Sequence, residues 1–450
     1  MRNGFVVMHD CCQRQILAGL VTTLLVLNST AAQEPPQLSR GLKWVRSHPF
    51  TIMALTISPA TFDVAHYRDG AGLNTMLPWK PKADLFVKAA AEGLPWHYHQ
   101  RRHPDGLTDE LKEQFQKLHD TYPGCTGWMV WDEPQTLAMP TAAVTMQWLR
   151  EAYPDQLVYS NALPHGARVM GKYYGSNDFP EGYDYEGYLR DFVTILKGDV
   201  VMYDAYIFKE SGKTSNIMPS AVTARKLGLE FGIPYWTFVQ SHSDPRRKYR
   251  MPSESDIRMQ VFLHLTMGYT GIAYFTYEDQ QGPAMVSSPP PGVINPIFYD
   301  VGRLNREVAN LGTALRMLTS TDVSVVAGPG GDPPAQLPAW KPGTGGITAI
   351  TINEDEPGNW KHLLVGTFRD DDGQKYLMLT NLWHDKNMRA VDRQLSVTLS
   401  LEKGIDFVGR LSRETGHPER LSVTEGRLQL VLPGGTGELL CLGSSEFPGL

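Results

Sequence analysis

Two adjacent carboxylates, Asp132 and Glu133, follow an apolar run at residues 127–131, and Pro134 comes directly after them. The apolar residues suit a strand that is covered on both faces, and charged side chains are tolerated only where such a strand emerges. A carboxyl beside Trp131 is expected to be partly desolvated, which raises its pKa and suits it to donate a proton. The same two residues could instead cap the next helix, so the stretch alone leaves both interpretations open.

The elements that must position these carboxylates alternate along the chain. From residue 50 to about residue 320, short apolar runs alternate with amphipathic stretches, which is typical of βα units around a parallel sheet. About eight units can be counted, so the predicted fold class is α/β, a (β/α)8 TIM barrel, with a doubly wound open sheet as the alternative. The predicted strands span residues 51–58, 73–79, 95–100, 127–131, 157–161, 200–208, 233–240 and 271–277. The predicted helices span residues 83–91, 108–119, 141–152, 221–231, 253–267 and 301–318, and Ser253 with Asp256 resembles a capping box.

The pattern changes after about residue 321. Gly- and Pro-rich links give way to alternating strands, predicted at residues 347–352, 362–368, 375–381, 394–401, 427–432 and 437–442. This pattern indicates a smaller antiparallel β-sandwich. The predicted organisation is a signal peptide over residues 1–32, a catalytic barrel over residues 33–320 and a β-sandwich over residues 321–450.

The N-terminus and the composition limit where the protein acts. Basic residues, an apolar run at 16–27 and small residues up to Ala32 predict a secretory signal peptide, and hence a secreted or periplasmic protein. The apolar run is short for a membrane span, so no membrane association is expected. Cys125 and Cys441, far apart, form neither a disulfide framework nor a metal-binding spacing. The net charge of -6 argues against nucleic acid as a partner.

In a (β/α)8 barrel the site lies at the C-terminal ends of the strands, where this chain carries carboxylates, amides and aromatic rings. That mixture suits a sugar, because rings stack on its C–H faces and polar groups bond its hydroxyls. Any single Trp or Tyr could instead belong to the core. Cleavage of a glycosidic bond needs a proton donor, predicted to be Glu133, and a second carboxylate. The predicted sugar-binding residues are Trp79, Trp96, His97, His99, Asn161, Tyr206, Trp236, Gln240, Tyr277 and Glu278.

A family resemblance supports this interpretation. The runs GWMVWDEP, LVYSNALP, VVMYDAYIF and IPYWTFVQ, and the block that starts MPSESDIRMQ, resemble secreted glycoside hydrolases of the clan that contains the family 42 β-galactosidases. The resemblance covers about residues 50–320. It implies a barrel with a β-sandwich tail and an acid at the end of strand four, at Glu133. The chain departs from the clan at Asp132, where the clan has Asn, and at Gln240, where the clan has its nucleophilic Glu.

The second catalytic group therefore has to be found elsewhere. The Asp-Glu-Pro motif is also similar to that of β-N-acetylhexosaminidase-type enzymes, in which the acetamido group of the substrate attacks and the Asp orients it. By that likeness Asp132 orients the substrate. Otherwise Asp204 is the second catalytic carboxylate, although tips on strands four and six would be about 10 Å apart before side chains converge. Retaining, inverting and substrate-assisted cleavage all stay open.

Two basic loops suggest which kind of ligand the protein binds. Arg101 and Arg102 follow predicted strand three, and Arg246, Arg247, Lys248 and Arg250 follow predicted strand seven. On an acidic protein these loops could receive a sulfated or uronic-acid sugar, so the expected partner is a carbohydrate, with an anionic one as a candidate. No cofactor is expected. Two alternatives are a non-catalytic carbohydrate-binding protein and a metal-dependent barrel hydrolase that uses the His97 and His99 pair.

Overall fold

The computed structural model of the protein describes residues 38–166, 169–287, 292–329, 331–353, 356–358 and 360–450. The predicted signal peptide, residues 1–32, lies outside the described residues. Residues Leu38–Leu450 form one compact unit. Within the described ranges, no helix has the length and apolar character needed to cross a membrane.

A parallel eight-stranded sheet closes into a barrel. Its strands are β1 (Thr51–Leu55), β2 (Thr75–Leu77), β3 (Trp96–Gln100), β4 (Cys125–Asp132), β5 (Leu157–Asn161), β6 (Val201–Asp204), β7 (Tyr235–Gln240) and β8 (Gly271–Phe275). Their order in the sheet is β5-β4-β3-β2-β1-β8-β7-β6. The two outer strands meet, because the amide of Ala162 donates to the carbonyl of Met202 at 2.8 Å. The predicted (β/α)8 barrel is confirmed.

Helices alternate with these strands. They are α1 (Arg40–Ser47), α2 (Ala83–Ala91), α3 (Asp109–Thr121), α4 (Met139–Ala152), α5 (Met170–Tyr174), α6 (Tyr185–Leu196), α7 (Met218–Phe231), α8 (Glu254–Thr266) and α9 (Pro296–Leu315). The capping box of α8 is confirmed: Ser253 Oγ accepts from the Asp256 amide, and the Asp256 carboxylate accepts from the Ser253 amide. The sequence did not predict α1, α5 or α6. In α6 the buried residues Tyr185, Tyr188, Leu189, Phe192, Val193 and Leu196 follow the helical period, so the sequence does contain a signal for this helix.

The unpredicted helix α1 packs against the interior of the barrel. The ring of Trp44 lies 6.0 Å from the ring of His97 and 6.1 Å from that of Trp236. The rings of His97 and Trp236 are themselves stacked. His97 and Trp236 are each the second residue of their strand, so this aromatic cluster fills the N-terminal end of the barrel.

The C-terminal region is antiparallel. After a small hairpin of β9 (Val286–Ser287) and β10 (Val293–Ile294) come β11 (Thr319–Val326), β12 (Ile347–Ile352), β13 (Leu363–Arg369), β14 (Lys375–Asn381), β15 (Leu395–Leu401), β16 (Phe407–Leu411), β17 (Pro418–Ser422), β18 (Arg427–Leu432) and β19 (Gly437–Leu442). They form a six-stranded sheet, β11-β13-β14-β19-β16-β17, and a three-stranded sheet, β12-β15-β18. Strand β15 alternates buried and half-buried residues, which is the pattern that predicted it. The sequence did not predict strands β9, β10, β11, β16 and β17.

Two buried ionic networks join the barrel helices to this β-rich region. Arg258 of α8 contacts Glu307 of α9 at 2.7 Å, and Arg413 contacts both Glu307, at 3.1 Å, and Glu438. In the second network, Asp256 pairs with Arg250 and lies 2.7 Å from His384 Nδ1. Side chains of α8 and α9 therefore contact side chains of the β-rich region through polar groups that are buried or half-buried, and the loop after β7 joins the second network through Arg250.

Candidate active site

One amide group holds two carboxyl groups together at the C-terminal end of the barrel. Asp132, Asn161 and Asp204 are the last residues of β4, β5 and β6. Asn161 Nδ2 donates to Asp132 Oδ1 at 3.0 Å and to Asp204 Oδ1 at 3.2 Å. The two carboxyl oxygens therefore lie within about 6 Å of each other. Closure of the barrel between β5 and β6 is what brings these three predicted site residues together.

Glu133 lies next to this cluster on a turn of unusual backbone conformation. Trp131 has a φ of 53° and Glu133 a φ of 51°, both in the left-handed region that non-glycine residues seldom adopt. The amide of Glu133 donates to the carbonyl of Asn161 at 2.9 Å, which fixes the turn to β5. Such conformations cost on the order of 1 kcal/mol each and concentrate at functional sites. Two of them around Asp132 therefore support this turn as a functional feature.

A cavity of about 380 Å³ opens at this end of the barrel. Ligand pockets in proteins typically measure about 300–1,000 Å³, so the cavity can hold a small ligand. Its walls come from Asp204 at the end of β6, from the segments that follow β4, β5, β6 and β7, and from Ser220 of α7. The lining includes Glu133, His165, Asp204, Tyr206, Lys209, Arg247 and Tyr249.

The carboxyl groups of the site differ in their surroundings. Burial, together with the negative charges of Glu133 and Asp132, raises the pKa of Asp204 well above its ordinary value. Burial also raises the pKa of Asp132, against the opposing effects of His99 and the Asn161 amide. Glu133, in contrast, is exposed. Burial and neighbouring negative charge therefore both favour the protonated form of the Asp204 carboxyl.

The expectation that a carboxyl beside Trp131 is desolvated fits Asp132, whose pKa is raised by burial. Glu133, the predicted proton donor, has an exposed side chain, whereas that of Asp204 is buried. The apolar run could not show this, because the left-handed turn at Trp131 and Glu133 takes the chain out of the strand.

Asp204→Asn should make the protein more stable at neutral pH. A raised pKa means that folded Asp204 keeps a proton that the unfolded chain has released, so stability falls as pH rises from about 4 toward the folded pKa. Asn carries no titrating proton, and its Oδ1 can still accept from Asn161. The advantage should grow by about 1.4 kcal/mol per pH unit within that window. Urea unfolding at pH 4, 5.5 and 7 measures it, with the exposed Asp178→Asn as control; an equal difference at all three values would contradict it.

An aromatic wall flanks the carboxyl cluster. Phe275, which the sequence analysis missed, lies between the predicted residues Trp79 and Tyr206, with ring centroids 5.5 and 5.1 Å away. Trp79 also packs against His99, at 6.0 Å. Trp79 and Tyr206 are half-buried, so their rings remain partly accessible to a ligand.

Three predicted sugar-binding residues lie far down their strands. Trp96 is the first residue of β3; it packs against Phe86 at 4.6 Å and donates from Nε1 to the Pro123 carbonyl at 3.0 Å. His97 and Trp236 belong to the aromatic cluster that fills the barrel, and His97 Nδ1 lies 2.9 Å from the Tyr159 hydroxyl. All three are buried and line no part of the cavity.

Three further predicted residues make packing or hydrogen-bond contacts within the protein itself. Gln240 Oε1 accepts from the Phe208 amide at 3.0 Å, and its Nε2 donates to the Arg250 carbonyl at 3.0 Å. Tyr277 is buried against Tyr67, with ring centroids 5.0 Å apart. Glu278 is also buried, and its carboxylate accepts hydrogen bonds from the hydroxyls of Ser58, at 2.9 Å, and Thr61. None of the three lines the cavity.

The cavity also contains residues that the sequence analysis did not single out as ligands. Lys209 and Tyr249 lie on the loops after β6 and β7, and an isolated antiparallel bridge pairs them. His165 comes from the loop after β5. Neither loop has a repeating pattern, so composition alone offered only the basic residues near Arg247 as a signal.

No metal site accompanies the carboxyl groups in the part of the chain that the structure describes. Among those residues, no group of three or more His, Cys, Asp or Glu side chains is placed to hold a metal ion. His97 bonds to Tyr159 inside the barrel, so the His97 and His99 pair does not face the cavity as the metal-dependent alternative requires.

No protein-family model matches the sequence, and no curated protein does. The chain is similar to the solved structure of a GH30 endoxylanase from Clostridium papyrosolvens, with 12% identity and a TM-score of 0.43 over 91% of this chain and 97% of that chain. It is similar to a GH27 β-L-arabinopyranosidase from Geobacillus stearothermophilus, with 9% identity and a TM-score of 0.45 over 91% and 99%. A β-galactosidase from Marinomonas ef1 gives 10% identity and a TM-score of 0.41 over 60% and 62%. All three are glycoside hydrolases, and the values do not single out the clan of the family 42 β-galactosidases. Likenesses this weak say nothing of the activity of this chain.

Proposed function

We propose that the protein is a glycoside hydrolase. The observation that carries the proposal is a pair of carboxyl groups, Asp204 and Glu133, that line one cavity at the C-terminal end of the barrel in opposite surroundings. Asp204 is buried and its pKa is raised, whereas Glu133 is exposed. Glycosidic cleavage needs one carboxyl that donates a proton and another that acts as a nucleophile or base.

The roles follow from the surroundings of each group. Asp204 donates the proton to the leaving oxygen, because burial and the charges of Glu133 and Asp132 keep it protonated. Glu133 acts at the anomeric carbon, directly or through a water molecule. Asn161 positions Asp204, and Asp132 supplies part of the negative charge that raises the pKa of Asp204. The sequence interpretation gives the donor role to Glu133, and that assignment stays a prediction to be distinguished by kinetics.

The aromatic side chains at the cavity suit the rest of a sugar. Tyr206 and Tyr249 line it, with their ring centroids 6.2 Å apart and nearly perpendicular. Trp79 extends the aromatic surface through Phe275. Rings of this kind stack on the C–H faces of a pyranose, while nearby amide and carboxyl groups bond its hydroxyls.

A panel of polysaccharides and aryl glycosides, including N-acetylated, uronic and sulfated sugars, tests the proposal. Wild-type protein should release reducing sugar from at least one of them, and the double variant Glu133→Gln/Asp204→Asn should not. Asp178→Asn, an exposed change outside the cavity, should keep wild-type turnover.

Two outcomes would contradict the proposal. Unchanged turnover in the double variant would remove these carboxyls from the reaction. Saturable sugar binding with no hydrolysis of any substrate would favour the non-catalytic carbohydrate-binding alternative.

A further inference from the structure

Two cationic side chains line the same cavity as the proposed catalytic carboxyls. Lys209 lies on the loop after β6, and Arg247 lies on the loop after β7. The chain carries a net charge of -6, so a pair of cations inside a concave site runs against its overall charge. Concave sites concentrate the field of the charges that line them, which makes this part of the cavity a place where an anion is favoured.

Lys209 is held by a ring and not by a counter-ion. Its Nζ lies 3.9 Å from the centroid of the Tyr249 ring, a cation–π contact that orients the ammonium group. The ion pairs found among the described residues leave Lys209 without a carboxylate within 4 Å. The backbone around it is fixed, because its amide donates to the Lys213 carbonyl at 3.0 Å and its residue bridges to Tyr249.

Arg247 is also only weakly engaged. Its Nε lies 3.7 Å from Asp244 Oδ2, beyond hydrogen-bond distance, and its side chain is 58% exposed. Arg250, three residues on, shows how a structural arginine is held in the same loop. Arg250 pairs closely with Asp256, lies over the Phe208 ring at 5.2 Å, and is 12% exposed. Arg247 has none of these contacts and lines the cavity instead.

We propose that the cavity binds a sugar that carries an anionic group, a carboxylate or a sulfate, and that Lys209 and Arg247 contact that group. An arginine can donate two parallel hydrogen bonds to either anion, and the lysine adds a compact charge. The identity of the ligand as a sugar rests on the proposed hydrolase function. The attraction of the cavity for the anionic group rests on Lys209, Arg247 and Tyr249 alone.

Binding of monosaccharides tests the inference, because they contain no glycosidic bond to cleave and wild-type protein can therefore be used. The probes are glucuronate and galacturonate, glucose 6-sulfate and galactose 6-sulfate, and neutral glucose and galactose. Titration followed by NMR at 20 mM salt should give a Kd at least 5-fold lower for a uronate or a sulfate than for the matching neutral sugar. Raising the salt to 200 mM should reduce the difference, since exposed charges are then screened.

Arg247→Gln and Lys209→Met should each remove most of that preference, measured as the ratio of the Kd for the neutral sugar to the Kd for the matching anionic sugar. Arg246→Gln is the matched control, because Arg246 is the neighbouring residue, also lies 3.7 Å from Asp244, is 73% exposed and does not line the cavity. The uronate and sulfate arms show which anion is taken.

An equal Kd for anionic and neutral sugars overturns the inference, as does an effect of Arg246→Gln equal to that of Arg247→Gln. Hydrolysis of neutral glycans without any anion preference leaves the hydrolase function standing and removes this inference. Anion-selective binding without hydrolysis of any glycan supports this inference and contradicts the hydrolase function. Absence of binding by every probe overturns the inference.

Discussion

Asp204→Asn should lower kcat by about 10³-fold on a substrate with an ordinary sugar leaving group, since general acid catalysis typically contributes 10²–10⁴-fold. On a dinitrophenyl glycoside of the same sugar, the loss should be less than about 10-fold, because that leaving group departs without a proton. The reason is the buried, like-charged surroundings of Asp204, which keep its carboxyl protonated. Steady-state rates on the two substrates measure the effect.

Glu133→Gln is the matched comparison. Glu133 is proposed to act at the anomeric carbon, so its loss should slow both substrates by a similar factor of about 10³ or more. The opposite pattern would reverse the roles: an effect that depends on the leaving group for Glu133→Gln, but not for Asp204→Asn, would make Glu133 the proton donor, as the sequence predicts. Asp204→Asn with wild-type rates on both substrates would remove Asp204 from the reaction.

Arg413→Met should destabilise the protein by about 3–5 kcal/mol, the typical cost of breaking a buried ion pair by removing one partner. Arg413 contacts Glu307 of α9 and Glu438 of β19, whose side chains are 16% and 4% exposed. Among the described residues, removal of Arg413 leaves buried Glu438 without an ion-pair partner and leaves Glu307 with Arg258 alone. The midpoint of thermal unfolding at pH 7 measures the loss.

A nearby exposed pair provides the control. Arg410 contacts Glu419 with side chains 31% and 37% exposed, and Arg410→Met removes a side chain of the same type. Exposed pairs contribute about 0–1 kcal/mol, so this variant should unfold close to the wild type. Equal losses in the two variants would show that burial of the Arg413 network is not what stabilises it.

The carboxyl cluster was the part of the site that the sequence predicted best. Asp132, Asn161 and Asp204 each follow a β-rich apolar run, and in a parallel barrel all such runs end at the same face. The link between Asp132 and Asp204 through the Asn161 amide could not be predicted, because it depends on closure of the sheet between β5 and β6. The positive φ angles at Trp131 and Glu133 could not be predicted either, because neither position is a glycine.

The position of Trp96, His97 and Trp236 away from the cavity has a different cause. An apolar run shows that a strand exists but not which of its residues lies at the mouth. β3 starts at Trp96 and β7 at Tyr235, so His97 and Trp236 lie at the N-terminal end of the barrel. Gln240 lies at the C-terminal end of the barrel, but its side chain is hydrogen-bonded to the Phe208 amide and the Arg250 carbonyl. Such pairings come from tertiary contacts that a one-dimensional pattern does not contain.

The contacts of Arg250 make the loop after β7 depend on the β-rich region, which matters for protein engineering. The loop that presents Arg247 to the cavity also contains Arg250, which forms an ion pair with Asp256. Asp256 in turn contacts His384, which follows β14 in the β-rich region. A barrel cut off before β11 would lose His384, one of the two partners of Asp256. Removing or exchanging the β-rich region is therefore expected to disturb the loop that carries Arg247. Any chimera that transplants this barrel has to carry His384 and its surroundings with it.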